Sequence, residues 1–78
     1  MDEQELYNFK RELQRITYNV EKITYQLHRT ILVIYFNRAC AVQHVILIKN
    51  RLKDLGFQMI AFDLDTNTLS AWTPLKNE

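Results

Sequence analysis

ITYNVEKITYQLHRTILVIYF, residues 16–36, holds one tripeptide twice: Ile16-Thr17-Tyr18 returns as Ile23-Thr24-Tyr25. The residue types favour strands, because β-branched and aromatic side chains suit a pleated surface. The interval of seven belongs to helices. Extending the stretch toward the N-terminus favours the helix. Leu6, Phe9, Leu13, Ile16, Val20, Ile23, Leu27, Thr30 and Ile34 follow one another at alternating steps of three and four, and of these only Thr30 is polar. That is an a/d seam, with Leu6, Leu13, Val20, Leu27 and Ile34 at a and Phe9, Ile16 and Ile23 at d. Sustained periodicity outranks the weak preferences of single residues. The pattern therefore predicts a long amphipathic, coiled-coil-like helix over 3–36. The run ILVIYF, 31–36, is apolar on all sides and is read as the buried C-terminal end of that helix, with a strand as the alternative.

Around Asn37 the seam loses phase. Ala41, Val45, Ile48, Leu52 and Leu55 resume the spacing and predict a second helix over 39–55. Gly56 is placed to take the left-handed position of a Schellman stop, with Phe57 following it. Lys49, Arg51 and Lys53 suit the negative end of that helix. From Phe57 the texture changes: FQMIAFDL and LSAWTP flank the polar quartet Asp65-Thr66-Asn67-Thr68. This predicts a β-hairpin over 57–74 with Ile60, Phe62 and Leu64 on one face, and Pro74 at an edge or past the end. The expected fold is a single α+β domain over 1–78, dominated by helix.

Composition bounds the function. Seventy-eight residues make one small domain. Ten Lys and Arg against nine Asp and Glu give no bulk basic character of the kind nucleic-acid binders carry. The lone Cys40 cannot pair within the chain, which favours a reducing compartment. The charged start, MDEQELYNFKREL, lacks the apolar core of a signal peptide. Six apolar residues in a row fall far short of the ~20 a membrane-spanning helix needs. A cytoplasmic protein with no membrane role is expected.

Few groups offer chemistry. FDLDTNTL, 62–69, resembles the nucleophile motif FDLDGTL of haloacid-dehalogenase-type phosphatases, which would make Asp63 the nucleophile and Asp65 the acid/base around magnesium. That family's catalysis draws on a large doubly wound domain after the motif, whereas ten residues follow Thr68, so both aspartates are read as turn residues. As a calcium loop the same stretch has Thr68 and Pro74 where glycine and glutamate are required. Cys40 and His44 are one helical turn apart, with His28 the other histidine, and fall short of four zinc ligands. One glycine cannot build a phosphate-binding loop. The expectation is a non-enzyme with no cofactor and no metal.

Two surfaces remain. The seam Leu6, Phe9, Leu13, Ile16, Val20, Ile23 and Leu27 would leave a long apolar stripe on a monomer and is expected to pair with a second copy. Opposite it run Arg11, Arg15, Tyr18, Lys22, Tyr25 and Arg29, alternating cations with aromatic rings at steps of four and three, over ~27 Å of helix. Such a row can grip an acidic protein surface or a phosphate backbone, or its tyrosines can serve packing while the cationic stems reach water. The functional expectation is a small homodimeric regulator or inhibitor that binds a larger protein, of a size that suits a phage or other mobile element. Nucleic-acid binding through the Arg/Tyr row is the alternative.

Overall fold

The computed structural model describes residues 2–26 and 31–73. Six elements follow in order: α1 (Glu3–Ile16), β1 (Val20–Gln26), β2 (Ile31–Phe36), α2 (Val42–Asp54), β3 (Met59–Asp63) and β4 (Thr68–Trp72). The strands form one sheet in the order β1-β2-β4-β3, and every neighbouring pair is antiparallel. The fold is α+β, but the expected long helix over 3–36 does not form. Its second half is a pair of strands, and helix does not dominate.

Local chemistry explains where α1 starts and stops. Asp2 accepts a hydrogen bond from the Glu5 backbone N–H at 2.8 Å, and the Glu5 carboxylate reaches back to the Asp2 N–H. This capping box satisfies two of the free donors at the helix start. At the other end Ile16, Thr17 and Tyr18 are three successive poor helix formers, and Thr17 is already extended at φ −151° and ψ 137°. The Asn19 N–H donates to the Thr17 hydroxyl (3.2 Å), and the Asn19 side-chain amide donates to the Ala39 carbonyl (3.2 Å). The Asn37 N–H in turn donates to the Asn19 carbonyl (2.8 Å). The reversal after α1 is thus tied to the segment after β2.

The seam residues are used inside the chain. Phe9 and Leu13 are buried, with Leu6 and Ile16 packed beside them, and all four lie on the inner face of α1. Val20 and Ile23 enter the same core from β1. Three residues apart, they would face opposite ways in a regular strand. The pairing runs Val20↔Phe36 and then Lys22↔Tyr35, a register shift that accommodates Glu21 as an extra residue. This bulge returns Val20 and Ile23 to one face. Ile34 is buried in β2, and Leu27 lies outside the described residues. Among the described residues, a stripe covered in this way leaves no seam for a coiled-coil dimer.

Both helices pack on one face of the sheet. Leu13, Leu32, Ile34, Ile48, Leu52 and Leu69 are fully buried between the layers. Phe36 and Phe62 meet edge to face, centroids 5.9 Å apart at 71°. The stop of α2 is a Schellman motif: Gly56 has φ 98°, its N–H donates to the Lys53 carbonyl, and the Phe57 N–H donates to the Leu52 carbonyl. In the β3–β4 turn Asp63 accepts from the Asp65 N–H at 2.9 Å, and Asn67 takes the left-handed conformation at φ 52°.

The architecture is an α-β-β unit used twice. Pairings within the two hairpins superpose at a shift of 37 residues: Ile23 corresponds to Ile60, Tyr25 to Phe62, Leu32 to Leu69 and Tyr35 to Trp72. At the same shift Val20 corresponds to Phe57, both buried. Val33 corresponds to Ser70, which is its own cross-strand partner. A pseudo-twofold axis therefore passes between those two residues, normal to the sheet. The ITY pair that stands out in the sequence is not this repeat, since its first copy ends a helix and its second lies in a strand.

Candidate functional site

The outer flank of α1 carries Tyr7, Lys10, Arg11, Gln14 and Arg15, at helical steps of three and one that place them in one stripe. The turn that ends the helix adds Tyr18. Together these six residues line a shallow concavity of about 480 Å³. Three are cations, two are phenols, and no carboxylate is among the described residues that line the concavity. Tyr18 is 92% exposed and Tyr7 54%, so neither ring is committed to the core.

Each side chain has a reason for its place. Arg11 donates to the Tyr7 hydroxyl (3.4 Å), and its guanidinium lies 6.0 Å from the centre of the Tyr7 ring. Gln14 donates to the Val20 carbonyl at 3.1 Å, fastening the floor of the site to the start of β1. Arg15 lies in the last turn of α1, where a cation complements the helix dipole, and Glu3 and Glu5 occupy the first turn. The helix is therefore polarised, with carboxylates at one end and cations at the other. Glu12, the acid nearest the cations in sequence, turns to α2 and accepts two hydrogen bonds from Arg51, at 2.5 and 3.3 Å. That pairing holds the Arg51 pKa above its ordinary value. Among the described residues Lys10, Arg11 and Arg15 form no ion pair, and Glu12 lines a neighbouring concavity with Arg11 and Arg15.

Of the Arg/Tyr row read from the sequence, Arg11, Arg15 and Tyr18 come together here. Lys22 and Tyr25 do not. They lie on β1, where alternate side chains point to opposite faces. Lys22 stands on the helix-free face of the sheet, its ammonium 4.7 Å from the centre of the Tyr35 ring. Tyr25 packs against the core. Arg29 lies outside the described residues. Tyr7, Lys10 and Gln14 were not picked out from the sequence. Tyr7 was legible, one helical turn before Arg11 in the same row.

The remaining candidates do not converge. Asp63 is engaged with the Asp65 backbone in the hairpin turn. The Cys40 thiol is half-buried and hydrogen-bonded by the Thr17 side chain; burial pushes its pKa up and the Thr17 bond opposes that shift. Among the described residues no three His, Cys, Asp or Glu side chains cluster as metal ligands, and no helix is long and apolar enough to cross a membrane. No family model, curated protein or solved structure matches the chain.

Proposed function

We propose that this protein is a small non-catalytic binding module that holds an acidic segment of a protein partner against α1. One observation carries the reading: Lys10, Arg11 and Arg15 converge with two exposed tyrosines in a concavity whose described lining holds no carboxylate. From Tyr7 to Arg15 the helical part of the stripe measures ~12 Å at 1.5 Å per residue. That length matches about four residues of extended peptide at ~3.3 Å each. Arg forks bind carboxylates in two-point fashion, and the phenols offer ring faces and hydroxyls beside them. A near-neutral chain with one local cationic site suits an acidic protein segment better than a nucleic acid, whose phosphates reward broad positive fields. Cys40, the chain's one cysteine, fits a reducing cytoplasmic setting.

The test uses two labelled probes of equal length, a Glu-rich peptide containing one tyrosine and a single-stranded oligodeoxynucleotide. Fluorescence anisotropy should show the peptide binding more tightly at low ionic strength. The double reversal Arg11→Glu/Arg15→Glu should weaken that binding at least ~10-fold, as attraction becomes repulsion, with the circular dichroism spectrum unchanged. Equal binding by the reversed variant, or no peptide binding by the wild type, would overturn the reading. Tighter binding of the oligonucleotide, lost steeply with salt, would turn it into nucleic-acid recognition.

A further inference from the structure

The face of the sheet away from the helices is mixed, polar along β1 and apolar along much of β2. An antiparallel sheet covered on one side ordinarily alternates apolar and polar residues. Strand β2, ILVIYF, does not alternate: Ile31, Val33 and Tyr35 lie on the outer face, Val33 already covered at 6% exposure, between Leu32, Ile34 and Phe36, which face the core. Register places the outward residues in three rows. The first is Lys22, Tyr35, Thr68, Asp63; the second Thr24, Val33, Ser70, Ala61; the third Gln26, Ile31, Trp72, Met59. Met59 is 69% exposed. The Tyr35 ring takes the Lys22 ammonium over its face, and the Tyr35 hydroxyl accepts a hydrogen bond from the Gln26 side-chain amide at 3.2 Å. It thereby spans Thr24, whose hydroxyl is buried without a hydrogen-bond partner.

We propose that this face docks on the same face of a second copy, about a twofold axis parallel to the strands. The charges decide the occupant. One cation and one anion sit at opposite ends of the first row, which gives a phosphate chain no net attraction but makes the face complementary to itself. A twofold along the strands lays β1 of one copy over β3 of the other. Lys22 then meets Asp63 of the second copy, twice over. The same operation sets Trp72 against Ile31 and Tyr35 against Thr68, larger side chains against smaller ones. A twofold across the strands would reverse the rows and bring Lys22 to Gln26, with no ion pair formed. The middle row is small enough for sheets to approach to the usual ~10 Å. Four strands of five residues cover ~19 by ~17 Å. With corrugation that amounts to about 1,000 Å² in total, at the lower limit of specific interfaces. The dimer is accordingly weak, half-formed at tens of micromolar by order of magnitude. It leaves α1 free, and its failure would not touch the reading of the α1 site.

Sedimentation velocity on the full chain, from about 5 to about 500 μM to bracket that affinity, tests it with two single reversals. Lys22→Asp alone and Asp63→Lys alone should each be monomeric throughout. Their equimolar mixture should dimerise, because the heterodimer restores both ion pairs. Should Asp63→Lys disturb the turn that Asp63 closes, Asp63→Asn keeps the acceptor oxygen and should still weaken association at least ~10-fold. Trp72, the chain's one tryptophan, reports locally: its emission should move to the blue with concentration in the wild type and stay put in Asp63→Asn. A wild type monomeric across the range, reversed variants that dimerise equally well, or a mixture that stays monomeric would each overturn the proposal.

Discussion

Cys40 stands just before α2, and its thiol meets the Thr17 hydroxyl at the end of α1. Burial disfavours the thiolate, so the group holds its proton above the ordinary value of 9.0. The sign follows directly. Stability from the neutral thiol is complete below the ordinary thiol range and is lost as pH climbs through the raised folded value. Reactivity follows the thiolate fraction. Iodoacetamide should therefore alkylate the folded protein more slowly than the urea-unfolded chain at pH 8, with the midpoint of its rate profile displaced upward. Identical profiles in the two states would show that the thiol is not sequestered. Tyr18, one residue beyond Thr17, has the opposite fate. It is almost wholly exposed, because the extended backbone at Thr17 turns the chain away before the ring can reach the core.

At the scale of elements, Gly56 shows what a local signal can specify. The Schellman geometry needs φ > 0, and a Cβ added there would meet nothing within 4 Å. Gly56→Ala should therefore cost conformational strain alone, about 1 kcal/mol, measured by urea denaturation. A loss of several kcal/mol would mean that packing, not backbone conformation, demands the glycine. Punctuation of this kind made α2 and the β3–β4 hairpin readable. The first hairpin was misread for a physical reason. With Glu21 inserted as a bulge, Val20 and Ile23 keep the core face at a spacing of three, so a strand continued the rhythm of Leu13 and Ile16 in the preceding helix. The turn signals were side-chain bonds of Thr17 and Asn19 in a stretch with neither glycine nor proline. The apolar run Ile31–Phe36 was ambiguous because its strand carries apolar residues on both faces. The candidate site was half legible: Arg11, Arg15 and Tyr18 share it, and the rest of the row was lost once β1 replaced helix.

At the scale of the whole molecule, the described residues form two α-β-β units sharing one sheet, with both helices on one face and no described helix or strand over the other. Both functional proposals depend on that layout. The cationic concavity exists because α1 ends at Ile16 and brings Tyr18 beside Arg15. The self-complementary face exists because β1 and β3 are the two edges. Nuclear Overhauser contacts along the backbone of the isotopically labelled protein decide it. Cross-strand contacts should join Ile23 to Ile34 and Ile34 to Leu69, and sequential helical contacts from Hα(i) to HN(i+3) should stop at Ile16. An unbroken ladder of such helical contacts running through Val20 and Tyr25 would contradict the fold and both proposals built on it.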